Sequence, residues 1–183
     1  HRAAITVAPC FGYRWAANKI VDEELGRNAV DLSRVELAAC GAEPINADEL
    51  EHFADRFEQF GFDRRVYYPC YGLAESTLMV TGADRGNATT RDELPGIVNT
   101  TISQSELAAG KFIRGEGNDT VRIVSSGIPA AGTEIRIVDP QTNRPLPAGT
   151  VGEIRIRSQS VAVGYWNDPR QTDQTFRTRV NGS

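Results

Sequence analysis

The chain has 183 residues, 40% of them hydrophobic and 24% charged, which is enough to bury one core of ordinary size with or without a small appendage. Lys+Arg 20 against Asp+Glu 24 gives a formal charge of -4 with the basic residues scattered, so neither nucleic acid nor an anionic membrane is an expected partner. No run of about 18 apolar residues and no charged-then-apolar opening occurs, and the expectation is a cytoplasmic protein without stable membrane insertion. The opening at His1 without an initiator Met, and the close at Asn181-Gly182-Ser183, read as cut ends of a longer chain.

In chain order, Ala3 to Val7 is a short apolar run that stops at Pro9, as a strand would. Tyr13 to Leu25 follows with apolar residues at Trp15, Ala16, Ile20, Val21 and Leu25, a helical spacing that ends in a turn around Gly26 and Asn28. Val35 to Cys40 repeats the strand pattern. Asn46 then opens a helix with Leu50, Phe53, Ala54 and Phe57 on one face, Asn46 and Glu49 have the spacing of a capping box, and Gly61 closes the segment. Val66 to Tyr68 is a third strand, and Ala74 to Val80 is expected to be helical. Strand, helix, strand, helix, strand at this period predicts parallel α/β architecture.

Cys10, Cys40 and Cys70 each fall where a strand ends, and with no short Cys pair they read as reduced, buried thiols rather than a zinc site or a disulfide framework. Each is followed closely by Gly, in Cys10-Phe11-Gly12, Cys40-Gly41 and Cys70-Tyr71-Gly72, which marks three sharp exits at the carboxyl edge, where open parallel sheets bind ligands. From Thr81 to Thr120 the chain turns polar for about 40 residues, with a weak helical patch at Ser103 to Ala109, which is long for a plain loop. From Val121 short strands with alternating polarity appear at Val121 to Val124, Glu134 to Val138 and Gly152 to Arg157, separated by turns rich in Pro and Gly. They predict a small antiparallel β subdomain.

The third exit carries chemistry. Tyr71-Gly72-Leu73-Ala74-Glu75-Ser76 puts an aromatic face that can stack on a base beside a Gly that admits close backbone approach, then a carboxylate. A carboxylate beside phosphate requires a cation between them, so Glu75 reads as a Mg²⁺ ligand; as a first-turn Glu it equally reads as a partner of the helix dipole. His1 and His52 are the only histidines, and both read as structural or solvent-exposed.

Gly41-Ala42-Glu43-Pro44, Tyr68 to Thr77, Ser126-Gly127-Ile128-Pro129, and Gly149 to Glu153 followed by Val163-Gly164-Tyr165-Trp166 stand in the order seen in the adenylate-forming superfamily of acyl-CoA synthetases, peptide-synthetase adenylation domains and luciferases. The chain resembles the later part of that superfamily's large N-terminal domain, and within it most resembles the fatty acyl-AMP ligases. Three features carry the narrower resemblance: Leu73-Ala74 within the third-exit motif, the stretch Ala3 to Ile20, and the polar segment Gly82 to Thr120 where these ligases hold an insertion. In the family this insertion is thought to restrain domain movement and disfavour CoA as acceptor. Cys10 and Gly12 stand where the subfamily more often has Asn and Ala.

The resemblance implies residues 1–81 as an α/β part with the adenine-site motifs, 82–120 as the insertion, and 121–183 as the β subdomain with a following helix. It implies Gly41, Ala42 and Glu43 as one wall of the adenine pocket, Tyr71 and Gly72 at the base, Leu73 and Ala74 near the α-phosphate and acyl carboxylate, and Glu75 as catalytic Mg²⁺ ligand. The helix Phe11 to Ile20 would line the acyl channel, while Glu153, Tyr165 and Trp166 would be structural, packing the β subdomain. The implied activity is ATP- and Mg²⁺-dependent activation of a fatty acid to acyl-adenylate, for transfer to an acyl carrier protein of a polyketide or peptide synthase. A long-chain acyl-CoA synthetase and an inactive adenylate-binding or interaction module are the alternatives. The family's Gly/Ser/Thr-rich phosphate loop, Thr-Gly-Asp ribose motif and C-terminal Lys are not in these 183 residues, which implies that the chain alone is inactive.

Overall fold

A computed structural model describes residues 3–27 and 30–181; His1, Asn28 and Gly182-Ser183 lie outside the described residues. In chain order the elements are β1 (Ile5–Ala8), α1 (Cys10–Lys19), α2 (Asp22–Arg27), β2 (Leu37–Cys40), α3 (Ala47–Phe57), β3 (Tyr67–Leu73), β4 (Leu78–Gly82), β5 (Asn99–Ser103), α4 (Gln104–Ala108), β6 (Thr120–Val124), β7 (Ile128–Pro129), β8 (Glu134–Val138), β9 (Glu153–Arg157) and α5 (Pro169–Phe176). They fall into two compact units. One takes in the chain up to Tyr71 with Gly82–Thr100 and Arg122–Ile128, the other Gly72–Thr81, Thr101–Val121 and the chain from Pro129 on.

In the first unit β1, β2 and β3 are parallel neighbours, with Ile5 opposite Leu37, Ala8 opposite Cys40 and Cys40 opposite Pro69. The expected strand-helix alternation is present. The expected single helix from Tyr13 breaks, because Ile20 takes extended angles and α2 restarts at Asp22. α3 begins where Asn46 directs its side-chain oxygen to the N–H groups of Asp48 and Glu49, at 2.9 and 3.3 Å. The capping box is half made: the Glu49 carboxylate accepts from Arg14 of α1 at 2.7 Å and so ties the two helices together. Gly61 takes the left-handed conformation, φ 84°, that ends the segment.

The apolar faces of α1 and α3 meet over the strands in an aromatic cluster. Tyr13 lies edge-on to Phe53 and Tyr67 at centroid distances of 5.1 and 5.6 Å, and Phe62 is set similarly against Phe53 and Tyr67 at 5.0 and 5.2 Å. Burying the phenols leaves their hydroxyls to be satisfied inside: Tyr13 donates to the Ala39 carbonyl at 3.0 Å and Tyr67 to that of Leu50 at 2.8 Å. Burial pushes both phenols above their ordinary range.

Beyond Tyr71 the third strand belongs to the second unit, where β4 and then β7 succeed it in the sheet order. Here the expected helix Ala74 to Val80 is not formed. Ala74–Ser76 make one 3₁₀ turn, Thr77 and Leu78 adopt positive φ of 53° and 84°, and the chain turns straight into β4. The β-branched Thr77, Val80 and Thr81 favour that outcome over a continued helix. Gly72 sits so close to this turn that a Cβ on it would lie 1.6 Å from the Leu78 carbonyl oxygen.

β5 and β6 form a two-stranded ribbon, bonded at its ends from Ser125 N–H to the Val98 carbonyl (2.8 Å) and from Gln104 N–H to that of Asp119 (3.1 Å). The first of the three alternating strands therefore pairs with the polar segment. The other two form the expected antiparallel pair, β8 with β9, Ile135 opposite Ile156 and Ile137 opposite Ile154. Among the described residues no helix is long and apolar enough to cross a membrane.

Candidate functional site

In the first unit the turn after β2 is shaped by two backbone constraints. A Cβ on Gly41 would lie 2.6 Å from the Cys70 carbonyl oxygen and 3.1 Å from its Sγ, so only Gly lets this turn pass against β3 immediately before Tyr71. Ala42 then takes φ 68°, a left-handed conformation costly for a residue with a Cβ and of the sort found where backbone is shaped for a ligand. Tyr71 is half-buried.

Glu43 does something its position in the motif did not announce. Its Oε1 accepts from the backbone N–H of Phe11 at 2.7 Å, in the first turn of α1, whose own N-cap residue, Pro9, makes no side-chain cap. The carboxylate thus satisfies a helix-end donor and sits at the positive end of the helix dipole. On the same helix Phe11 and Trp15, four residues apart, stand 53% and 62% exposed, an aromatic stripe not used by the core.

Of the three cysteines expected at strand ends only Cys40 closes its strand, since Cys10 opens α1 and Cys70 lies within β3, which runs on to Leu73. Cys10 Sγ lies 3.3 Å from the Asn46 N–H and 3.4 Å from its carbonyl, and Cys70 Sγ contacts the Cys40 carbonyl at 3.5 Å. All are free thiols, Cys10 and Cys40 buried and Cys70 half-buried. A hydrogen bond from the Cys40 thiol lowers Cys10, and its reciprocal together with burial raises Cys40. Among the described residues no three His, Cys, Asp or Glu side chains converge as a metal cluster.

In the second unit the Glu75 turn is fastened to the segment that precedes α5. The Glu75 carbonyl accepts from Ala162 N–H at 2.7 Å, and Thr77 Oγ1 donates to the Ser160 carbonyl at 2.6 Å. The Tyr165 hydroxyl donates to Oε1 of Glu75 in a short hydrogen bond. That bond holds the Glu75 carboxyl below its ordinary range, with the residue's own backbone N–H adding to the effect, and raises the Tyr165 phenol. The Glu75 carboxylate forms no ion pair with Lys or Arg among the described residues, and it faces a cavity of about 820 Å³ whose wall also includes Leu73, Ser76, Arg155 and Phe176.

Tyr165 is the residue that the sequence did not single out for the site. It was expected only to pack the β subdomain; its ring does lie edge-on to Phe176 at 5.2 Å, but its hydroxyl is spent on Glu75. Trp166, expected to pack as well, stands 98% exposed. Glu153 opens β9 paired to Arg155 at 2.9 Å, in keeping with a structural role.

No helix of full length begins at Glu75, so the dipole reading loses its helix, whereas an oriented carboxylate with no ion pair among the described residues is compatible with a hard divalent ion, in a cavity whose wall also carries Arg136, Arg155, Arg157 and Arg179. Lacking a cluster of protein ligands, such an ion would take its remaining oxygens from a bound phosphate and water, the usual mode for Mg²⁺.

Residues 4–166 match the family model described as AMP-binding enzyme. The chain is 38% identical to a 4-hydroxyphenylalkanoate adenylyltransferase of Mycobacterium tuberculosis over 98% of its own length and 28% of that protein. It is 35% identical to the long-chain-fatty-acid–AMP ligase FadD23 of the same species over 94% of the chain and 28% of the relative. Among solved structures, a fatty acid AMP ligase from Legionella pneumophila superimposes with a TM-score of 0.86 at 35% identity, over all of this chain and 30% of that one. A fatty acyl-adenylate ligase from L. pneumophila in complex with acyl adenylate and pyrophosphate gives 0.82 at 36% identity, over 94% of the chain and 28% of that one. The chain thus spans less than a third of the length of these relatives, and its fold is that of the N-terminal domain of adenylate-forming enzymes. On the extent of the match, the chain belongs to the AMP-binding enzyme family.

Proposed function

We propose that this chain is part of a fatty acyl-AMP ligase, which joins a long-chain fatty acid to the α-phosphate of ATP, releases pyrophosphate, and hands the acyl group to an acyl carrier protein in the cytoplasm. The observation that carries the reading is Glu75: a carboxylate fixed by Tyr165, bordering a cavity and in no ion pair among the described residues, within a motif that resembles that of the acyl-adenylate ligases. In the reaction the fatty acid carboxylate attacks the α-phosphorus, a C–O–P linkage forms, and the bond to the pyrophosphate oxygen breaks. No protein nucleophile takes part, so the work of the chain is positioning and charge compensation.

In this reading Tyr71 stacks on the adenine with Gly72 admitting close approach, and Gly41, Ala42 and Glu43 form a wall of the base pocket. Leu73 and Ala74 border the α-phosphate and acyl carboxylate. Glu75 holds Mg²⁺, which when bound neutralises phosphate charge. Phe11 and Trp15 on α1 offer apolar surface to the acyl chain. The polar segment disfavours CoA as acceptor; in support, its return strand is anchored, since Arg122 on β6 clamps Asp48 and Glu51 of α3.

The test uses the complete enzyme with ATP, Mg²⁺, long-chain acids and both acceptors. Pyrophosphate release with acyl-AMP accumulating in the presence of CoA, and acyl transfer to carrier protein, is the expected result. Efficient acyl-CoA formation would overturn the acceptor in favour of an acyl-CoA synthetase, and no ATP binding at millimolar ligand would overturn the activity altogether.

A further inference from the structure

The Val163-Gly164-Tyr165-Trp166 motif and the bend after it form a frame that aims one hydroxyl. Asp168 caps α5 through its Oδ1, which accepts from Gln171 N–H at 2.9 Å, and Pro169 sets the first helical residue. One turn in, Thr172 is 8% exposed and donates its hydroxyl to the Asp168 carbonyl at 2.7 Å. The same Thr172 oxygen accepts from the backbone N–H of Tyr165 at 2.9 Å, which pins the Tyr165 backbone to the start of α5. Gly164 has φ 151°, and a Cβ there would lie 2.5 Å from Thr172 Cγ2, so the approach requires Gly. Phe176, at the end of α5, holds the Tyr165 ring edge-on at 5.2 Å. The backbone is pinned at one end and the ring at the other, and the hydroxyl points at Oε1 of Glu75.

Packing alone would be served by Phe. A phenol whose oxygen is committed to a carboxylate, with that carboxylate's own backbone tied to Ala162 three residues upstream of Tyr165, serves orientation. We infer that Tyr165 is the positioning residue of Glu75: it holds one carboxylate oxygen so that the group is presented in a single orientation to the divalent cation of the nucleotide. The inference rests on Glu75 being the cation ligand, and the experiment separates the two.

Tyr165→Phe, Glu75→Gln and the double variant are made in the complete enzyme, and thermal unfolding confirms that each folds. Mn²⁺ in place of Mg²⁺ is titrated by electron paramagnetic resonance into each protein with α,β-methylene-ATP, which cannot turn over, and nucleotide affinity is measured separately by calorimetry in EDTA. A hydrogen bond to a charged group, reduced by its partial exposure, corresponds to about a fivefold to tenfold loss of Mn²⁺ affinity in Tyr165→Phe, with metal-free nucleotide affinity unchanged. In turnover the Mg²⁺ concentration for half-maximal rate rises by the same factor, and the double variant loses no more than Glu75→Gln. Wild-type Mn²⁺ affinity in Tyr165→Phe together with a loss in Glu75→Gln overturns the inference and leaves the cation reading standing. Wild-type affinity in Glu75→Gln overturns both.

Discussion

Replacing Arg122 with alanine removes a guanidinium that links β6, the strand following the polar segment, to α3. Nη1 of Arg122 lies 2.5 Å from Asp48 Oδ1 and 3.1 Å from Glu51 Oε2, and Nη2 makes a second, short bond to Glu51. The Arg122 side chain is 33% exposed, Glu51 41% and Asp48 75%, so solvent screens much of the attraction. Exposed pairs are worth about 0.2–1 kcal/mol, and the forked geometry on Glu51 places this one at the upper end, about 1 kcal/mol. If that energy holds β6 locally, its loss raises amide exchange in β6 about fivefold at pH 7.

The pH dependence has a definite sign. The Arg122 hydrogen bond is the main cause that depresses the Glu51 carboxyl below its ordinary value of 4.5, with Arg64 adding to it and Asp55 opposing. A depressed folded value means that the contribution is complete above 4.5 and is lost as pH falls from there through the folded value. Hydrogen exchange followed by mass spectrometry, comparing Arg122→Ala with wild type at each pH, should show the fivefold ratio at pH 7 falling towards one as the pH drops below 4.5 and through the depressed folded value. A ratio that stays constant with pH, or a Glu51→Gln variant whose effect adds fully to that of Arg122→Ala, would refute the clamp.

Gly41→Ala must push the turn off the Cys70 carbonyl, so in the complete enzyme the melting temperature should fall and the KM for ATP should rise at least about tenfold, because the clash is with backbone and a misplaced contact at a ligand costs about that much. Gly72→Ala has no such latitude: with backbone 1.6 Å from the new Cβ, the protein should lose more than about 3 kcal/mol in urea unfolding. Ala42→Gly relieves the positive φ and should stabilise by up to about 1 kcal/mol in the same assay; a destabilised protein would show that the left-handed conformation is not strained. Glu43→Ala removes the substitute cap of α1 and should cost about 1 kcal/mol.

The parts that could be read from sequence are those whose cause is local. Asn46 as a cap, Gly61 as a helix stop, the parallel strands and the β8–β9 pair each rest on signals within a few residues. Ala74 to Val80 misled because a Glu three residues past a Gly looks like a first helical turn, and what decides against it is the backbone reversal at Thr77 and Leu78, two positive φ values that neither residue type advertises. The break at Ile20 is of the same sort: the apolar spacing runs on through Val21 while the backbone does not.

The candidate site shows a second reason why periodicity runs out. Glu43 and Glu75 were both assigned by motif alone, yet their partners are 32 and 90 residues away, and each partner tells a different story. Glu43 is occupied by the Phe11 N–H, so its carboxylate meets a helix end and its value to a nucleotide would lie in the shape of the turn that carries it. Glu75 is bound by a phenol, a donor that leaves its negative charge in place, as the proposed cation ligand would require; an Arg in the same position would have compensated it. Sequence records both as Glu after a small residue at a strand exit. What distinguishes the two is their setting, the N-terminal end of α1 for Glu43 and the border of a cavity for Glu75, and that depends on where Phe11 and Tyr165 are delivered by the rest of the fold.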